Sequence, residues 1–180
     1  MLILIFLSKF GNYVYYIDNL EVHFFNKSHN IPIMNLETIL QIVISSIAAT
    51  SLMTLFSYAV SASARELYKE PVLLTYLLTV TGIEVSQPVK VILAWVLHYI
   101  IGLAFVIGYH YLWIYDILDM SWPVAFLLGA ISGIIGILGW IIMFSLVPKK
   151  PNIDYKGYYA QLFVAHVIFG IVAFAVYQLF

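Results

Sequence analysis

The chain has 180 residues, of which 63% are apolar and only 9% charged, and its mean hydropathy is +0.99. Soluble domains carry about 45–50% apolar and about 25% charged residues, so this is the composition of a membrane protein. A formal charge of −1 gives no basic field for nucleic acid, and the lack of cysteine excludes disulfides, thiolate metal sites, iron–sulfur ligation and a cysteine nucleophile.

In chain order, residues 1–33 fit least well. MLILIF is apolar for too few residues to cross a bilayer. No positive charge leads it and no small-residue cleavage site follows, so it is no clean signal peptide. Met34 opens a well-formed membrane sequence. The expectation is that translation starts there and that residues 1–33, with His23 and His29, are an upstream leader; the alternative is an interfacial arm.

Four apolar runs of about 20 residues or more follow, each long enough for a helix across about 30 Å of hydrocarbon. They cover residues 39–62, 91–113, 124–147 and 158–177. None alternates at period 2, which argues against a membrane barrel and for an all-α, four-helix bundle. Pro88 and Pro123 stand before the second and third runs, and Pro148 and Pro151 after the third, where proline marks helix starts and stops. Residues 65–85, RELYKEPVLLTYLLTVTGIEV, are too apolar for a plain linker, so they read as an interfacial amphipathic helix or as a loop covering one end of the bundle.

Basic residues set the expected orientation. Arg65, Lys69 and Lys90 lie between spans one and two, and Lys149, Lys150 and Lys156 between spans three and four. The connection between spans two and three carries only Asp116 and Asp119. By the positive-inside rule both basic connections are cytoplasmic, giving an N-out, C-out multi-pass protein of a bacterial inner membrane. Its surroundings are then the lipid bilayer, with a homo-oligomer or a partner membrane protein as further company.

The spans repeat one another. Span two reads His98-x3-Gly102-x6-Tyr109 and span four His166-x3-Gly170-x6-Tyr177, every pair 68 residues apart. Ser45, Ser46 and Ala49 of span one match Ser132, Gly133 and Gly136 of span three. Two duplicated helical hairpins account for this. Because each holds an even number of spans, the repeats are parallel rather than inverted.

Duplication places His98 and His166 at similar depth, about 12–15 Å inside at 1.5 Å per residue. In an up-down-up-down bundle spans two and four are diagonal, so both imidazoles can face one central axis. Polar groups within spans face the bundle interior or water. The candidate site is therefore His98 and His166 with Gly102, Gly170, Tyr109 and Tyr177. Span three also carries Gly129, Ser132, Gly133, Gly136 and Gly139, and span one Ser46, Thr50, Thr54 and Ser57, on stripes that read first as close helix packing.

Three readings of the histidines stand side by side. They bond hydroxyls such as Ser46 or Thr50 and specify packing; they line a pocket for a lipid, small solute or ion; or they ligate a b-type haem through both imidazoles. No Asp or Glu lies inside a span, which weighs against a proton- or cation-driven transporter. His110, among Tyr109, Tyr111 and Trp113, reads as a residue of the outer aromatic belt. No nucleophile elbow, phosphate loop or HExxH appears, so an enzyme is the disfavoured class. By layout and by the paired His-x3-Gly spans, residues 34–180 resemble small four-span bacterial membrane proteins grouped as domains of unknown function. That resemblance implies the four-span architecture and no activity.

Overall fold

A computed structural model describes residues 35–180. The expected leader and the start at Met34 lie outside the described residues. Among those described there are five helices and no strand: α1 Leu36–Ala64, α2 Glu70–Val80, α3 Gln87–Ile114, α4 Trp122–Leu146 and α5 Tyr155–Tyr177. All but α2 are long and apolar enough to cross a membrane. They coincide with the four apolar runs, each helix reaching a few residues past its run on at least one side.

The helices begin and end where local chemistry requires. Proline occupies the first turn of α2, α3 and α4, where its missing N–H costs no helical bond. Asp154 caps α5, its carboxylate accepting from the amides of Lys156 and Gly157. At the C-termini of α1 and α3 the chain turns through left-handed residues, Arg65 at φ 55° and Asp116 at φ 49°. In each case the next amide reaches back five residues, Glu66 to the Ser61 carbonyl and Ile117 to the Leu112 carbonyl. That is a Schellman closure made without the usual glycine.

Burial on α1 is the reverse of a water-facing helix. Ser45, Ser46, Thr50, Thr54, Ser57 and Ser61 are buried, while Ile44, Ile47, Leu52 and Leu55 point outward. Such a pattern suits a helix with apolar surroundings, whose hydroxyls turn toward neighbouring helices. On α3 and α4 the outward faces are likewise apolar, with Ile92, Ile100, Ile134, Leu138 and Ile142 exposed.

The most deeply packed helix is α5, which lies against α4 on one side and α1 on the other. Glycine makes the α4–α5 approach possible. A methyl added at Gly129 would stand 2.7 Å from the His166 carbonyl oxygen, and one at Gly170 would stand 2.6 Å from the Ala125 carbonyl oxygen. The small-residue face of span three is thus occupied by α5. Helix α3 packs on α1 and on α2. It reaches α5 through long side chains: Phe105 meets the His166 ring, and Trp113 meets Phe174 and Tyr177.

In the 65–85 segment a helix forms, as one expectation had it, and it covers one end of the bundle, as the other had it; its burial goes further than either required. Leu73, Leu74 and Leu77 are buried in one cluster with Ala94 of α3, Trp140 and Phe144 of α4, and Tyr158 and Leu162 of α5. Its leucines are buried because it packs across one end of the bundle. The bond from Tyr76 to the Lys149 carbonyl, at 3.1 Å, ties it to the end of α4.

Candidate functional site

Between α2, α3, α4 and α5, with part of α1, lies a cavity of about 210 Å³. An apolar cavity of about 150 Å³ accepts benzene, so this one has room for a single ring with a substituent. His98 and His166 both line it, as does Gly102. The depths match as well: each histidine is the twelfth residue of its helix, counted from Gln87 and from Tyr155.

The two rings are held differently. Nε2 of His98 lies 2.9 Å from the Thr54 hydroxyl, whose own oxygen is 2.6 Å from the Thr50 carbonyl. A hydroxyl has one proton to give, and the carbonyl can only accept. Thr54 therefore donates to Thr50 and accepts from Nε2–H of His98. The expected partners Ser46 and Thr50 lie on the same face, but Ser46 donates to the Val43 carbonyl and Thr50 stands one turn away. Nδ1 of His166 is 2.8 Å from the Leu162 carbonyl, so that nitrogen carries the proton and the neutral ring keeps its Nε2 lone pair. Room for this ring comes from Gly136, where an added methyl would stand 2.9 Å from Cε1 and Nε2.

Three residues of the expected site lie elsewhere. Gly170 serves the α4–α5 contact. The Tyr109 hydroxyl is bonded to Ser132 at 2.6 Å and to the Leu128 carbonyl at 3.2 Å. The Tyr177 hydroxyl meets Nδ1 of His110 at 2.6 Å. His110 is therefore a buried partner of Tyr177 rather than a belt residue. These two tyrosines build a second polar and aromatic layer, away from the cavity.

Sequence reasoning missed Glu70. It sits outside every span, yet it is 2% exposed and lines the cavity from the first turn of α2. Its Oε1 accepts from the Ser57 hydroxyl at 2.8 Å, and that hydroxyl accepts in turn from the Gln161 amide at 2.6 Å. Oε2 has no partner, and neither has the buried hydroxyl of Thr50, a second cavity-lining residue, which packs against Gly102. Burial pushes the Glu70 carboxyl up to about 7, against the opposing pull of its own amide, Ser57 and Gln161. An acidic side chain beside a proline, opening a run as apolar as EPVLLTYLLTV, was the available signal. The absence of a carboxylate from the spans thus does not hold for the bundle interior.

No lysine or arginine is among the residues lining the cavity. The nearest candidate in sequence, Lys69, places its ammonium 4.8 Å from the Tyr58 ring centre instead. The remaining walls are apolar or aromatic, with Phe105, Trp140 and Phe169 among them. The residues do not fit a haem: His98 commits Nε2 to Thr54, and the space suits one ring rather than a tetrapyrrole.

No family model, curated protein or solved structure matches the chain. The resemblance to small four-span proteins is accordingly one of layout.

Proposed function

We propose that this chain is a multi-pass membrane protein whose bundle holds a small ligand in the cavity between His98, His166 and Glu70. One observation carries the reading. Glu70 and Thr50 both line the cavity, and each has a fully buried oxygen, Oε2 and Oγ1, without a partner. Leaving such groups unpaired costs about 1–3 kcal/mol each, and more for a charge, which a bound molecule with donors would offset. Inverted burial on α1 supports the bilayer as the surrounding medium. The orientation follows from the basic connections: Arg65 to Lys90 and Lys149 to Lys156 face the cytoplasm of a bacterial inner membrane, and both ends of residues 35–180 face out.

The same reading treats the hairpins as duplicated. Each histidine turns toward the first helix of its own hairpin, His98 to Thr54 of α1 and His166 to Gly136 of α4. Each glycine one turn later does likewise, Gly102 against Thr50 and Gly170 against Gly129. The first half then carries α2 as an insertion with no counterpart in the second.

Gly139 lines the cavity, and a methyl added there meets nothing within 4 Å. Gly139→Leu is therefore the variant that fills the space. Mass spectrometry of small molecules released from the purified full chain is expected to find one that the filled variant lacks. Identical release from both proteins would sink the proposal.

A further inference from the structure

We propose, resting on the cavity reading above, that the ligand is a small organic ammonium, an amine nitrogen on a body about the size of one ring, with Glu70 as its counter-ion. Each wall of the cavity narrows the class. An ionised Glu70 is an acceptor only, its Oε2 and the Thr50 hydroxyl are unpartnered, and the neutral His166 ring keeps an acceptor nitrogen. With no lysine or arginine lining the cavity, the net demand is for a donor carrying positive charge.

A bare metal ion answers that demand poorly. Hard cations take six or more oxygens, and among the described residues no group of three His, Cys, Asp or Glu side chains could hold one. Most of the wall is hydrocarbon or aromatic, which suits an organic body. Phe105, Trp140 and Phe169 line it, and a desolvated cation is attracted to an aromatic face. An isolated buried carboxylate is expensive, and a hydrogen-bonded ammonium is the partner that relieves it.

Protons compete for the same oxygen. Around Glu70 stand Ser57 and Tyr58 on α1, His98 on α3, and Tyr158, Gln161 and His166 on α5, while α4 gives the cavity no titratable side chain. Because these groups share the cavity wall, the Glu70 contribution is read as a difference between proteins.

The test uses the full detergent-purified chain with three probes of one shape: benzylammonium, benzyl alcohol and toluene. Binding is followed by calorimetry at about pH 8.5 and about pH 5.5, above and below the Glu70 carboxyl. Benzylammonium is expected to bind the wild type at the higher pH and to weaken about tenfold or more at the lower. Glu70→Gln should weaken it by about tenfold or more at the higher pH and leave toluene unchanged. Thr50→Val, which keeps the shape and removes the hydroxyl, should weaken benzylammonium a few fold, and it serves if Glu70→Gln does not fold. Binding of toluene or benzyl alcohol in preference to benzylammonium, or benzylammonium binding indifferent to pH and to both substitutions, overturns the ammonium class and leaves the cavity reading intact. Failure of every probe overturns both.

Discussion

A methyl group added at Gly170 or at Gly139 meets opposite surroundings. At Gly170 of α5 it would stand 2.6 Å from the Ala125 carbonyl oxygen and 2.7 Å from the backbone of Gly129, so α4 and α5 must part. At Gly139 of α4 it meets nothing within 4 Å. Gly170→Ala is expected to lose about 1–3 kcal/mol of stability through overpacking. Gly139→Ala should be neutral or gain up to about 1 kcal/mol from the helix preference of alanine over glycine. Thermal unfolding of the two variants in one detergent checks the contrast, and equal shifts would refute it. Both are glycines inside apolar helices, so sequence alone gives them one meaning; what divides them is which face meets α5. The same limit moved the partner of His98. The hydroxyl face of α1 was legible from spacing, but the axial offset between α1 and α3, which selects Thr54 over Ser46 or Thr50, is set by packing.

Among the elements, α2 was the least legible. A span announces itself because its outer face is mostly apolar, whereas a short helix packed on the bundle is buried by neighbours that its own sequence does not name. Its consequence is the buried Glu70, and the sign of its pH effect can be worked out. The carboxyl rises from its ordinary 4.5 to about 7 in the folded protein, with burial as the main cause. Between those values the folded state holds a proton that the unfolded state has lost. Stability contributed by the protonated form is therefore present below the lower value and declines as pH rises through the folded one. At about 1.4 kcal/mol per unit, the loss over this window is up to about 3 kcal/mol for the ligand-free chain. Glu70→Gln, which keeps shape and removes the titration, should flatten that part of the pH profile. Denaturation midpoints measured across the window in both proteins are the check, and parallel profiles would show that Glu70 is not the source.

At the scale of the whole molecule, the proposed orientation follows from six basic residues in two connections, and the four spans must place those connections on one side. Because the chain contains no cysteine, single cysteines report without background. Four exposed positions sample the connections and the end: Glu84 between α2 and α3, Asn152 between α4 and α5, Met120 between α3 and α4, and Leu179 after α5. In intact cells a membrane-impermeant maleimide is expected to label Met120→Cys and Leu179→Cys. Glu84→Cys and Asn152→Cys should react only after the membrane is opened. The reverse pattern would invert the orientation but keep the four spans. Labelling that separated Met120 from Leu179 would do more harm, because an even number of crossings lies between them. The bundle would then have to thread the bilayer another way, and the shared depth of His98 and His166 would lose its physical basis.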